Sequence, residues 1–386
     1  MIELDYFQEV NTSKFKTSSD YLAEQLGSVI KVNPTNLDGV DIVIFDVNED
    51  RGSINNSGCA KAGNEIRKHL YELFKGDWQP KIADLGTILP GDSVSDTYFA
   101  VQECISYCLK QQKVPIILGG SQDLVYANYL AYTKQEQSVN LVSIDARFAL
   151  GQTDDKINSN NVFGKVILHQ PNVLFNFSNL GYQTYLVSQT ELGLLEELFF
   201  DGHRLGELKA NIQVAEPILR NADFINFNMS AIAYPHAPAN NNSSPNGLSA
   251  EQACQLCKYA GLSDKLTSFG LYELNPSIAD NGQTAHLAAQ MLWYFIDGFY
   301  NRKGDLPSCN KREYMKYTVT IEDGNQELIF YKSPKSDRWW MEVPYHANFS
   351  KKYERHLMLP CSYEDYLTAT QNEIPERWFQ TFKKLK

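Results

Sequence analysis

Four short apolar runs in this 386-residue chain end in polar residues that could act together. After VPIILGG come Gln122 and Asp123, and after LVSI come Asp145, Arg147 and Ala149. DFINFN carries Asn226 and Asn228, and LYELNP carries Glu273. Carboxylates and imidazoles gathered at such positions would bind divalent ions. This set has a different chemistry. Gln122, Asn226 and Asn228 are neutral amides and weak ligands, Ala149 has no ligand atom, and the Arg147 guanidinium has no lone pair to offer. Asp145 and Arg147 sum to zero charge. An Asp–Arg pair can satisfy itself through charge-assisted hydrogen bonds. The expectation is therefore that the Arg147 side chain bonds Asp145, and that the three amides close the network around them.

The remaining candidates each carry a plain alternative. Asp123 is a second carboxylate at a strand end, or else the cap of the following helix. His236, in the loop AYPHAPAN, is a replacement ligand or, more plainly, a solvent-exposed loop residue. His286 belongs on the last helix of the central region, packed or satisfied there. Cys104 and Cys108, and Cys254 and Cys257, sit at helical spacing with no second CxxC or His pair to complete a zinc site. They read as reduced cysteines packed on helices. The Trp339-Trp340 pair is an anchor for a partner or a cover for the edge of its own domain.

The elements that must position these residues alternate in type. VDIVIFDV, KIADLG, KVPIILGG, LVSIDA, ADFINFNM and LTSFGLYELN read as strands. Stretches such as GCAKAGNEIRKHLYELF, DTYFAVQECISYCLKQQ, EQACQLCKYAG and TAHLAAQMLWYFIDGF have helical periodicity. Strand–helix alternation predicts a three-layer α/β/α domain with a mostly parallel central sheet. Ligands collect outside the carboxyl ends of such strands, where the polar residues above fall. The domain is placed at 1–305 and a C-terminal α+β extension at 306–386. In the extension, YTVTIEDGNQELIFYKSP reads as two strands joined at Asp323-Gly324. DRWWMEVP reads as a further strand, and the segment from Tyr363 onward as a terminal helix.

Five segments together resemble the arginase/agmatinase/formimidoylglutamase (ureohydrolase) family. They are DVNEDRGSINNSGCAKAGNEIRKHLY, VPIILGGSQDL, LVSIDARFAL, DFINFNMSAI, and NGLSAEQACQL with LYELNP and TAHLAAQML. Their order and spacing over roughly 40–300 carry the resemblance, and formimidoylglutamase-like members are the most similar. The resemblance implies two manganese ions bridging a hydroxide that attacks a planar amidine carbon, held by two His and four Asp from three strand ends. At the six matching positions stand Gln122, Asp145, Arg147, Ala149, Asn226 and Asn228, so only one family ligand is retained. The resemblance also implies that Glu273 matches the carboxylate that binds the cationic group of the substrate; its plain alternative is a strand-end Glu that caps a helix or pairs with an Arg. Phe163, in NNVFGK, stands where hydrolytic members carry a His, and it cannot shuttle protons.

These readings lead to a degenerate member with a dismantled dimanganese site, no metal cofactor and no confident catalytic residue, acting as a binding or scaffold subunit. One alternative is an amidinohydrolase with a rearranged site drawn from Asp123, Asp145, His236 and Glu273. Another is a sensor that binds a guanidino or amino-acid ligand near Glu273 without turnover. A protein partner through 306–386, a cationic small molecule near Glu273 and a homo-oligomer fit the sequence. The net charge of −11 argues against nucleic acid and anionic membrane as main partners. The absence of a signal-like start or a spanning apolar run points to the cytoplasm.

Overall fold

The computed structural model describes residues 6–12, 15, 20–135, 137–152, 156–307, 311–321, 326–344 and 351–385. Among these, ten strands form the central sheet. They are β1 (Phe7–Gln8), β2 (Lys31–Val32), β3 (Ile42–Val47), β4 (Ile82–Ile88), β5 (Val114–Leu118), β6 (Val139–Ile144), β7 (Leu174–Tyr182), β8 (Asp201–Arg204), β9 (Phe224–Asn228) and β10 (Ser268–Tyr272). The sheet order is β1-β4-β3-β5-β10-β9-β6-β7-β8, with β2 beside β4. Only the β1–β4 pairing is antiparallel. The four central strands, β5, β10, β9 and β6, are buried along their whole length. That explains their continuous apolar runs, since a parallel sheet is covered on both faces.

The helices are α1 (Leu26–Val29), α2 (Ala62–Leu70), α3 (Val94–Lys110), α4 (Leu124–Thr133), α5 (Val162–Leu168), α6 (Gln189–Glu197), α7 (Leu205–Ala210), α8 (Ala215–Arg220), α9 (Ala250–Gly261) and α10 (Gln283–Tyr300). One core cluster joins Ile66 of α2, Leu256 of α9 and Leu292 of α10 to Ile44, Ile116 and Ile225 of the sheet. A second joins Ile105 of α3, Tyr129 of α4 and Val166 of α5 to Val43, Ile117 and Phe224. Alternate residues of one strand thus feed opposite cores, which makes the three layers. Helix starts are locally encoded: Ser93 with Asp96, Ser188 with Glu191, and Ser249 with Gln252 form reciprocal capping boxes. Among the described residues no helix is long and apolar enough to cross a membrane.

One buried polar cluster ties α2 to the sheet. Arg67 is fully buried and grips Asp84 through Nε and Nη2, both at 2.8 Å, while Nη1 reaches Asp46 at 2.5 Å. Tyr71 donates to Asp84 at 2.9 Å. Two carboxylates around one guanidinium keep each buried charge paired, the condition under which such groups are tolerated.

The extension forms its own antiparallel sheet of β11 (Met315–Ile321), β12 (Gln326–Lys332), β13 (Trp339–Glu342) and β14 (Met358–Cys361), paired in that order. The turn anticipated at Asp323-Gly324 lies outside the described residues. β14 adds a strand beyond those legible in the sequence. The single terminal helix anticipated there is two helices, α11 (Tyr363–Thr370) and α12 (Glu376–Lys384). Asn372 takes a left-handed φ of 69°, and Pro375 occupies the N-cap of α12, so the helix cannot run through. Trp339 and Trp340 are buried. The Arg220 guanidinium of α8 stacks on Trp340 at 4.5 Å and donates to the carbonyls of Trp339 and Cys361 at 3.1 and 3.0 Å. The pair therefore closes the junction with the α/β domain and is not an exposed anchor.

Candidate functional site

Four neighbouring strands deliver the site. β5 ends in Gly119 and Gly120, both with left-handed backbone (φ 73° and 82°). That torsion favours glycine in this tight turn, and a Cβ on Gly120 would also crowd the Glu49 and Val47 carbonyls at 3.0 and 3.1 Å. The turn swings Gln122 to the mouth of the sheet. β6 runs out into Asp145, β9 ends at Asn228, and β10 is followed by Glu273. The cleft between them has a volume of about 170 Å³. Asp145, Arg147, Ala149, Gln122, Asn228 and Glu273 all line it.

At its floor lies a closed hydrogen-bond network. Gln122 Nε2 donates to Asp145 Oδ2 at 2.6 Å, and Asn228 Nδ2 donates to Gln122 Oε1 at 2.8 Å and to Asp145 Oδ2 at 3.1 Å. Asp145 Oδ1 accepts from the Arg147 backbone N–H at 3.1 Å and from Ser230 Oγ at 3.4 Å. Asn228 Oδ1 in turn accepts from the Ser230 N–H at 2.9 Å. Burial pushes the Asp145 carboxyl above its ordinary range, while the Gln122 and Arg147 contacts pull the other way.

Two expectations need correction here. The Arg147 side chain does not bond Asp145. Its contact runs through the backbone N–H, and among the described residues the guanidinium makes no hydrogen bond or ion pair. The reason is that both Asp145 oxygens are already taken by Gln122, Asn228, Ser230 and the backbone. Asn226 does not join the network either. It sits two residues deeper on β9, where its Nδ2 donates to Ser143 Oγ of the adjacent strand at 2.9 Å. Its Oδ1 is buried with no hydrogen-bond partner.

Glu273 forms the opposite wall. It is buried, and its backbone is left-handed at φ 68°. Its carboxylate accepts from Asn56 Nδ2 at 2.8 Å, the Gln122 N–H at 2.9 Å and Ser53 Oγ at 3.0 Å. Asn56 and Asn240 also hold its carbonyl, at 3.0 and 2.8 Å. Burial raises its pKa to about 7, against those donors. Ser53, Asn56 and Asn240 do not stand out in the sequence. The signals that could have found them are the segment DVNEDRGSINNSG, which holds Ser53 and Asn56, and the Asn-rich loop at 239–247, which holds Asn240.

The other candidates lie elsewhere. Asp123 stands at the N-cap of α4, but its side chain makes no cap bond. It accepts from Ser121 and Tyr98, away from the cleft, and burial raises its pKa to about 6. His236 is exposed in its loop. His286 is exposed on α10 and stacks on His69, ring centroids 4.8 Å apart. Phe163 is buried in the core against Phe177. The helical cysteines of α3 and α9 are buried and free. Among the described residues, no three His, Cys, Asp or Glu side chains gather so that they could hold a metal ion.

This geometry, four parallel strand ends around one cleft, is that of a known fold. The chain belongs to the arginase family, whose model matches residues 40–297. The formimidoylglutamase of Halobacterium salinarum is 24% identical over 302 residues, covering 73% of this chain and 96% of that protein. The formimidoylglutamase of Streptococcus gordonii is 25% identical over 320 residues, covering 75% and 96%. Among solved structures, Bacillus subtilis formimidoylglutamase superposes with a TM-score of 0.67 at 19% identity, covering 72% of this chain and 92% of that one. Trypanosoma cruzi formiminoglutamase with manganese gives 0.65 at 19% identity, covering 72% and 99%. The fold is thus the ureohydrolase fold, and the extension's antiparallel sheet begins beyond the stretch that the family's model matches.

Proposed function

We propose that this protein is a ureohydrolase-fold binding subunit that holds a small molecule at its strand-end cleft without two-metal hydrolysis. The observation that carries the reading is the donor set. Two divalent ions need several anionic or imidazole ligands to offset their charge. Here the floor offers one carboxylate, Asp145, whose oxygens are already engaged by Gln122, Asn228 and Ser230. Arg147 adds a positive charge at the same place. The residues present do not fit a dimanganese centre, so no step through a metal is derived. Glu273, held by Asn56, the Gln122 N–H and Ser53 at the opposite wall, is the candidate seat for a cationic group.

A second reading is a metal-dependent amidinohydrolase with a rearranged site, favoured by the names of the relatives. It would draw on Asp123, Asp145, His236 and Glu273. Against it, Asp123 is turned to Ser121 and Tyr98, and His236 is exposed in its loop. A scaffold role through 306–386 would have to use surfaces other than Trp339 and Trp340, which are buried.

The test is calorimetric titration of manganese into the purified chain, alongside assays of urea and formamide release from arginine, agmatine and formiminoglutamate. No binding above buffer controls and no product are expected. Stoichiometric manganese uptake with steady product release would overturn the proposal.

A further inference from the structure

A second cavity lies away from the strand-end cleft, toward the amino ends of β6, β7 and β8. It measures about 620 Å³ and shares no lining residue with the cleft. α6 and α8 of the α/β domain wall it on one side, and β14, α11 and α12 of the extension on the other. The extension follows the stretch that the family's model matches, so this cavity exists only because the extension is docked.

The sheet face that floors it is polar, where a covered parallel sheet is ordinarily apolar. Register sets Asn140 beside Asn176 and Ser178 beside Asp201, with the four side chains on one face. Asn176 Nδ2 donates to Ser178 Oγ at 2.9 Å and to Asp201 Oδ2 at 2.7 Å, and Ser178 Oγ donates to the same carboxylate oxygen at 2.8 Å. All of this falls on one oxygen of Asp201, and no described residue donates to its Oδ1. Asn140 is 2% exposed. Its Nδ2 donates to the Asn221 carbonyl at 2.9 Å, while its Oδ1 is buried with no hydrogen-bond partner. The floor thus holds acceptors that lack donors, a costly state that a ligand with N–H groups relieves.

Charge and shape select among such ligands. Five carboxylates line the cavity, on Glu196, Asp201, Glu207, Asp365 and Glu376, against the two cations Arg377 and Lys384. Arg377 is engaged by Asp365 at 3.2 Å, and Lys384 donates to Asn176. His203, 3.1 Å from Glu207, offsets that one acid at most. The wall is therefore negative, which disfavours an anion. Its rings already receive a cation: Lys384 Nζ lies 5.1 Å from the Phe200 ring centre and 5.9 Å from that of Phe175. Phe379, Leu359 and Ile218 add apolar surface, which a bare metal ion would leave unused.

We infer that this cavity binds a primary amine carried on an aryl or alkyl body, its ammonium received by Asp201 and Asn140 and its body lying on Phe175, Phe200 and Phe379. The volume falls within the roughly 300–1,000 Å³ typical of small-molecule sites. The inference goes beyond the strand-end cleft and holds whether or not that cleft hydrolyses anything.

The experiment is titration calorimetry on the full chain with phenethylamine, tryptamine and hexylamine. 2-Phenylethanol and 3-phenylpropanoate serve as neutral and anionic controls. At least one amine should bind about tenfold or more tightly than either control. Asp201→Asn keeps an acceptor for Asn176 and Ser178 but removes the charge, and it should weaken that amine by about tenfold. Phe379→Ala changes a side chain that is 44% exposed, so folding should be spared while affinity falls by about threefold. Melting temperatures equal to the parent's would place both effects in recognition. Silence toward all three amines would overturn the inference, as would equal affinity for 2-phenylethanol. Indifference to Asp201→Asn would do the same, or indifference to Phe379→Ala where Asp201→Asn does not fold. Binding lost in Glu273→Gln but kept in Asp201→Asn would place the amine in the strand-end cleft and overturn it too.

Discussion

The backbone N–H of Gln122 donates to Glu273 Oε1 at 2.9 Å across a separation of 151 residues, while the Gln122 side chain donates to Asp145 at 2.6 Å. One residue thus links two of the cleft's carboxylates. It fixes the orientation of its own amide as well, because its Oε1 accepts from Asn228.

Asn228→Leu removes both donors of that amide, one to Gln122 and one to Asp145. It leaves buried acceptors short of partners, a loss of about 1–3 kcal/mol. Urea denaturation should show a lower midpoint with an unchanged slope. A variant as stable as the parent would mean that the network carries no stability.

Arg67→Met leaves Asp46 and Asp84 as unpaired buried carboxylates. Breaking a buried ion pair from one side costs roughly 3–5 kcal/mol, so melting should fall by several degrees or the chain should fail to fold. The triple replacement of Arg67, Asp46 and Asp84 by apolar residues of similar volume should recover much of the loss, since the cost lies in the uncompensated charges.

The pH dependence has a definite sign. Glu273 holds its proton to about pH 7 in the folded chain because burial disfavours the carboxylate, whereas an unfolded Glu releases it near pH ~4.3. Between those values the native state binds the extra proton, so this group's contribution falls as pH rises from about 4.5 to 7. Asp123, raised to about 6, acts in the same direction over a narrower window. Chemical denaturation of parent and Glu273→Gln at pH 5 and pH 8 should show the larger loss in the parent. The difference grows by roughly 1.4 kcal/mol for every tenfold by which folding tightens the carboxyl's hold on its proton. Equal losses in the two proteins would refute the assignment.

Arg220→Met should loosen the junction between the α/β domain and the extension. It removes donors to the Trp339 and Cys361 carbonyls and the stacking on Trp340. Limited proteolysis should then cut between 301 and 314 faster than in the parent, with the α/β domain left intact. An unchanged cleavage pattern would show that the remaining contacts, such as the Arg355 bond to the Ser138 carbonyl at 2.7 Å, suffice.

Six strands, β3, β4, β5, β6, β9 and β10, were legible as apolar runs because they are covered on both faces. β7 and β8 were not. Asn176, Ser178 and Asn179 interrupt β7 and serve local bonds, as where Asn176 and Ser178 donate to Asp201 at 2.7 and 2.8 Å. β8, DGHR, has no apolar pattern at all. At the site, residue identities and the strand ends that carry them could be read from motif spacing. What could not be read was how hydrogen-bond capacity is shared out. Only the folded geometry reveals that Asp145 is saturated by donors from three segments, and that Arg147 is therefore left over.

Glu273 also holds a left-handed backbone that side chains avoid, at a cost of about 1–2 kcal/mol. A glycine there would relieve the torsion, but it would also strand the donors that now hold the carboxylate, Asn56 Nδ2, the Gln122 N–H and Ser53 Oγ. The strained torsion at this one position is therefore locked in by the side chain's own contacts, and a substitution chosen from the backbone alone would lose more than it gained.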